Sequence, residues 1–324
     1  MNIIKSSLLA SLIFSTSIHS MEIQNQPHTT SPNVTSWERL IESKKTAMNS
    51  NSYELITRQY AAYKAQKVPK TSDQVIRSIP LLTDDEVYCG IGVYSQIVTI
   101  NYPQLIIESQ HLACHPKYIT MMPSPNKPYE SPDHNAGHKE SSSVRMLIYD
   151  AIAQATRELW IEAKHFGFQY GQVQIKVFEG LRTLATQKLL FDNKVKEILA
   201  DNPHLTPDQA HSEASKWVSP VRKEFIPPHS TGAAIDIRLW DSEKEQFLDL
   251  GKFGAIWGDN PTAPTFSEEL TDEQKNNRLY LLVAATNAGL VNYPFEYWHF
   301  SAADQYAAHW LGEEAALFNA IQGN

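Results

Sequence analysis

The chain has 324 residues, 42% of them hydrophobic, and a formal net charge of −8. That is enough material for one large or two modest domains with a proper core, and it excludes global disorder. Lys and Arg number 28 against 36 Asp and Glu, with no basic stripe, which excludes a nucleic-acid partner, because phosphate binding needs clustered cations.

Lys5, the apolar run from Leu8 to Phe14, and small residues at Ser15, Ser17 and Ser20 read as an export signal over 1–20. The run is shorter than the roughly 20 residues needed to cross a bilayer, and no later segment is long and apolar enough. The expectation is therefore an exported protein, periplasmic or secreted, without stable membrane insertion. Residues 21–140 read as an N-terminal extension packing on a domain over 141–312. Its first part, 21–36, is a polar arm with Pro27 and Pro32. Ser36 is the expected N-cap of a helical stretch over 37–67, with Glu38 in the first turn. Tyr53, Ile56, Tyr60 and Tyr63 recur there at helical spacing and read as core. Residues 87–110 alternate like a strand through Val93, Ile97 and Val98. Cys89 and Cys114 suit one disulfide in an exported chain, and equally two separate buried thiols. Residues 116–142, rich in Pro, Ser, Asn and His, read as a long loop and candidate lid. Within it His134 and His138 are read as solvated, because Gly137 and Pro132 oppose a helix that would bring them together.

Residues 143–166 form the clearest predicted helix, with Val144, Leu147, Ile148, Ile152 and Leu159 on one face and Gly167 as its stop. Val173, Ile175 and Val177 alternate as a strand running into Glu179, Gly180, Leu181 and Arg182. A helix over roughly 183–200 follows, and another opened by the capping signal Thr206 to Gln209. Ile235, Ile237 and Leu239 alternate with Ala234, Asp236 and Arg238, which sets Asp236 and Arg238 on one face of a strand. A capping box from Thr271 to Gln274 opens a helix that Gly289 ends, and Val291 to Phe300 reads as a strand. This order predicts an α+β fold: a small, largely antiparallel sheet carrying the site, flanked by helices, over 141–312. Residues 313–324 read as a C-terminal tail.

Two stretches carry the chemistry: Pro227 to Asp236, and Glu296 to His299. They supply His229, Asp236 and His299, three groups able to bind one zinc ion. Three protein ligands with a fourth position open is the pattern of a catalytic site. Other first-row metals also suit this donor set. Gly232 lacks a Cβ three residues after His229, where backbone can approach closely. Glu296 is the candidate base that takes a proton from a zinc-activated water, and Arg182 a candidate counter-charge for the oxyanion. In an ideal strand Glu296 and His299 fall on opposite faces. A shared site therefore requires a bend or bulge near Trp298, or Glu296 in the loop opened by Pro294.

These residues resemble the D-alanyl-D-alanine dipeptidases of the vancomycin-resistance type. Those are zinc metallopeptidases that share a core with D-Ala-D-Ala carboxypeptidases and the hedgehog domain. The family pattern Ser-x-His-x-x-Gly-x-Ala-x-Asp reads here from Pro227 through His229, Gly232 and Ala234 to Asp236, and Glu-x-Trp-His reads Glu296, Tyr297, Trp298, His299. The family's Tyr-Arg-Pro turn reads Leu181, Arg182, Thr183, and Asn277, Arg278 and Leu279 fit as well. The resemblance covers about 141–312. It implies one Zn²⁺ per chain on His229, Asp236 and His299, Glu296 as base and Arg182 as transition-state clamp. It also places Glu179 and Trp298 among the substrate-binding residues. The implied substrate is a small peptide of D-amino acids, D-Ala-D-Ala or a close relative. Three departures bear on the substrate. Pro227 replaces the family Ser, Glu179 replaces an Asp, and Gly254 stands where the family has an Asp that holds the substrate amine, for which Asp249 or Asp259 would have to substitute. A peptidoglycan D,D- or L,D-carboxypeptidase or endopeptidase with the same zinc site is the second expectation. A non-catalytic, hedgehog-like zinc module is the third, disfavoured by the presence of both Glu296 and Arg182.

Overall fold

The computed structural model describes residues 35–82, 97–99, 119–121, 143–215, 218–221, 226–253 and 260–321. The candidate disulfide pair Cys89 and Cys114, the loop histidines His134 and His138, Gly254, Asp259 and the export segment all lie outside these residues.

The first helices are fixed by their caps. Helix α1 (Ser36–Ser43) is capped by Thr35, one residue before the predicted Ser36, because Thr35 and Glu38 together complete a capping box. Asn49 caps α2 (Ser50–Lys64) through a bond from the Ser52 amide. A short helix α3 (Gln74–Arg77) follows. Of the strand-like 87–110, the described part is β1 (Ile97–Thr99), which pairs antiparallel with β3 (Ser143–Arg145). Strand β2 (Ile119–Met121) lies between them in sequence.

The helix predicted over 143–166 is α4 (Met146–Glu162) plus a 3₁₀ turn, Ala163–Phe166, which Gly167 ends at φ 88°. Its first predicted residues belong to β3 instead. Strand β4 (Val173–Glu179) leads to α5 (Leu184–Asp201), capped by Thr183, and the expected capping box opens α6 (Pro207–Ala214). Strands β5 (Ala234–Asp241) and β6 (Gln246–Phe247) precede α7 (Asp272–Asn287), which opens with the expected capping box at Thr271. The predicted strand over Val291 to Phe300 is a hairpin, β7 (Val291–Tyr293) and β8 (Glu296–Ser301), turned at Pro294 and Phe295. Helix α8 (Gln305–Leu311) completes the series.

The main sheet runs β2-β4-β5-β8-β7, with β6 pairing on β5. Within this sheet only β2 with β4 is parallel; every other described strand pair in it is antiparallel. The fold is thus mixed helix and antiparallel sheet, as expected. One sheet face is core: Val173, Ile175, Val177, Ile235, Ile237 and Leu239 have no exposed surface. Helices α4 and α7 cover it. Tyr280 of α7 donates its hydroxyl to the Leu159 carbonyl of α4 and stacks on Phe166 and Phe168. The opposite alternation, Asp236, Arg238 and Trp240, faces away from this core.

The N-terminal helices join the same core. Trp37 is fully buried, donates to the Ser267 carbonyl at 3.2 Å and meets Phe266 edge-on. At the other end Ala316, Leu317 and Phe318 are buried, and the Ile321 amide bonds the Ser230 carbonyl at 2.8 Å. Residues 316–318 are therefore packed against the rest of the fold.

Candidate metal centre

Three neighbouring strands and one turn build the site. Asp236 stands on β5, directly opposite His299 on β8, and opposite Glu179 on β4 across a register shift between Val177 and Glu179. His229 arrives on a 3₁₀ turn, Pro228–Thr231, which Gly232 ends at φ 70°. That left-handed φ is the reason for a glycine here, since it lets the chain reverse into β5 within two residues.

His229, Asp236 and His299 are all buried, and their ligand atoms lie within 4.8 Å of one another. His229 Nε2 is 3.3 Å from Asp236 Oδ1, and His299 Nδ1 is 3.1 Å from the same oxygen. Ligands about 2.0–2.1 Å from a tetrahedral zinc stand roughly 3.3 Å apart, so these two spacings suit a shared ion. The hydrogen bonds fix the lone pairs. His229 Nδ1 is 2.7 Å from the Gly180 carbonyl. A carbonyl only accepts, so Nδ1 carries the hydrogen and Nε2 turns its lone pair inward. His299 Nε2 lies 3.4 Å from Ser301 Oγ, which leaves Nδ1 for the centre. The donor set therefore fits a divalent metal.

Electrostatics agree with that. Burial works against ionisation of Asp236, but the two imidazoles outweigh it and hold the carboxyl well below its ordinary range. Burial likewise disfavours a charged His229, yet Asp236 raises its pKa. The pocket draws positive charge to one point.

Glu296 is the first residue of β8. Pairing of β8 with β5 covers only His299 to Ser301, and the register with β7 shifts between Asn292 and Tyr293. Ideal alternation therefore does not apply at Glu296, and the expected conflict of faces is removed by irregular strand geometry at the hairpin. Burial raises the Glu296 pKa, with His299, Asp236, His229 and Arg182 all near enough to act on it.

Arg182 lies beside this centre, tied by its own amide to the His229 carbonyl at 3.1 Å. Its guanidinium donates twice to Glu179, at 2.7 and 2.5 Å, and to Gln187 Oε1 at 3.0 Å. Glu179 is thus first of all the residue that orients Arg182. Burial opposes its charge, but Arg182 keeps it ionised. Trp298 is 6% exposed and packs edge-on against Phe253 and Tyr297, so it is chiefly a wall. Asp249 accepts from the Gly251 amide and from Gln274, which commits its carboxylate to a turn. Sequence reasoning missed the Gly180 carbonyl, Gln187 and Ser301. Ser301 was reachable, because it shares His299's strand face two residues on. The other two contacts depend on how a turn closes.

Comparison with known proteins gives the same region. Residues 159–315 match the family described as D-ala-D-ala dipeptidase, Peptidase_M15. A D-alanyl-D-alanine dipeptidase of Synechocystis sp. (strain ATCC 27184 / PCC 6803 / Kazusa) is 32% identical over 151 residues, 41% of this chain and 60% of that protein. The chain therefore spans less than two thirds of that relative. Two solved structures are similar in part, each 18% identical and covering 53% of this chain. One is VanYB in complex with D-Alanine-D-Alanine, with a TM-score of 0.30 over 79% of its chain. The other is a mutant of the vancomycin resistance D,D-pentapeptidase VanY in complex with Zn(II), with a TM-score of 0.29 over 80%. From the end of α4 to the residues after α8, the chain is similar to the D-Ala-D-Ala dipeptidase family of peptidases.

Proposed function

We propose that this protein is an exported zinc peptidase that hydrolyses the peptide bond of D-Ala-D-Ala or a closely related dipeptide. The observation that carries the reading is the convergence of His229, Asp236 and His299 on one buried point, with Glu296 beside it. Zinc, when bound there, supplies Lewis-acid polarisation of the scissile carbonyl and a water acidified to a pKa of about 7. Glu296 takes the proton from the attacking water and passes it to the leaving amine. Its pKa, raised by burial, suits a base that must also give the proton back. Arg182 offers fixed positive charge to the oxyanion. Glu179 and Gln187 hold that guanidinium in place before substrate arrives, so the transition state bears little cost of ordering it. Loss of one such donor typically costs about 2.7–4 kcal/mol of transition-state stabilisation.

The test uses the full chain loaded with zinc. Release of free D-Ala from D-Ala-D-Ala, abolished by a chelator and restored by zinc, is the expected result. Absence of release from the dipeptide, with cleavage of longer muropeptides, would overturn the dipeptidase reading. It would establish the second reading, a peptidoglycan carboxypeptidase or endopeptidase. One observation favours that alternative: Asp249 is occupied in its own turn and does not offer a free carboxylate for a substrate amine.

A further inference from the structure

Next to the metal ligands, the sheet face turned away from the core carries two cations side by side, Lys176 largely buried. Lys176 on β4 and Arg238 on β5 are direct cross-strand partners. Arg238 is two residues from Asp236 on the same strand, so it shares the ligand's face roughly 7 Å further along. Like charges placed directly opposite destabilise a sheet. Among the described residues no carboxylate relieves them. Lys176 Nζ bonds only the neutral Gln174 Oε1, at 3.1 Å. Arg238 Nε is buried without a hydrogen-bond partner.

Aromatic rings, together with the Tyr297 hydroxyl, hold the guanidinium instead. Its carbon lies 4.6 Å from the centre of the Phe247 ring, 5.2 Å from Phe253 and 5.8 Å from Phe178. The ammonium of Lys176 lies 5.6 Å from the Trp240 ring. Rings attract a cation through their faces and do not neutralise it. They also lower the local polarity, which strengthens any ion pair formed there. Burial already disfavours the charged form of Lys176. The arrangement costs stability as it stands, and an anion would offset that cost.

We infer that Lys176 and Arg238 form a subsite for a carboxylate of the substrate, so that the site also takes acidic peptides longer than a dipeptide. This rests on the peptidase reading of the neighbouring centre. At roughly 3.4 Å per extended residue, the carboxylate belongs to a side chain one or two residues from the scissile bond. A charge-assisted pair with a planar guanidinium supplies specificity as well as affinity.

Binding tests this independently of turnover. Calorimetric titrations on zinc-loaded full chain carrying Glu296→Gln would compare D-Glu-D-Ala-D-Ala with D-Gln-D-Ala-D-Ala, and D-Ala-D-Ala-D-Glu with D-Ala-D-Ala-D-Gln. In one of the two pairs the acidic peptide should bind about tenfold more tightly than its amide, since one charged hydrogen bond is worth roughly that factor. Arg238→Gln should abolish the difference, and Arg238→Lys should restore part of it. Because the acid-to-amide change is made in the peptide, a poorly folding variant does not spoil the test. Equal affinities within both pairs, or no binding of any of the four, would overturn the inference. Preferential acid binding, with no hydrolysis by the unmutated chain, would keep the subsite and overturn the peptidase reading.

Discussion

Asp236 Oδ1 faces two imidazole nitrogens, at 3.3 and 3.1 Å, and that one oxygen organises the site. Replacing it with an amide keeps the shape and removes the charge that draws a cation in. Glu296 does different work, since no ligand geometry depends on it. The two roles separate experimentally. Asp236→Asn should lose zinc, read by metal analysis after gel filtration. Glu296→Gln should keep zinc at the same stoichiometry while kcat falls by about 10²–10⁴, the usual worth of a general base. A Glu296→Gln variant with unchanged kcat would leave this residue without a part in the chemistry.

At the scale of elements, the aromatic wall of the candidate site is held from behind by one residue of α7. Arg278 is 1% exposed and donates to the Leu250, Pro264 and Thr262 carbonyls, and its guanidinium lies 4.0 Å from the Tyr297 ring. Burial pulls its pKa down to about 9. Gly251, at φ 85°, has no room for a side chain, because a Cβ there would stand 2.8 Å from Arg278 Nη2. Arg278→Met strands the carbonyls it now serves and should lower stability by about 2–4 kcal/mol, read as a lower urea midpoint. A change under about 1 kcal/mol would mean that water replaces the guanidinium freely. The sequence shows Arg278 only as part of the Asn277 to Leu279 stretch that fits the family pattern, with no sign of what it binds. Its legible parts are those with a local cause. The capping boxes at Thr206 and Thr271, the alternation that set Asp236 on a strand, and the three residues that could hold a metal were all readable. The hairpin at Pro294, the pairing of Glu179 with Arg182 and the packing of Phe318 were not, because each depends on chain that is distant or on how a turn closes. The conflict over Glu296 arose from applying ideal alternation to a strand whose pairing ends at His299.

Across the whole molecule the helices α4 and α7 and the N-terminal helices share one core, so a charge buried where they meet acts on global stability. Glu162 is such a charge. It closes α4, where the helix dipole opposes a negative end, its side chain is 16% exposed, and Glu158 stands one turn away. Burial, with repulsion from Glu158 second, raises its pKa to about 7 against an ordinary 4.5. The folded state thus holds this proton more tightly than the unfolded chain does. Its contribution is fully present below about pH 4.5 and is lost as pH rises through 7, because over that window the unfolded state binds fewer protons. His165 Nε2 lies 3.6 Å from the carboxylate. Allowing for water at the partly open carboxylate, the net change should be about 1–2 kcal/mol. The measurement is the difference in unfolding free energy between the zinc-loaded protein and its Glu162→Gln variant, at several pH values from 5 to 8. Taking the difference cancels the pH dependence of zinc binding, which both proteins share. The variant should gain on the parent as pH rises. A constant difference would show that Glu162 titrates alike in the folded and unfolded chain, and that the junction of α4 with α7 admits enough water to solvate a charge.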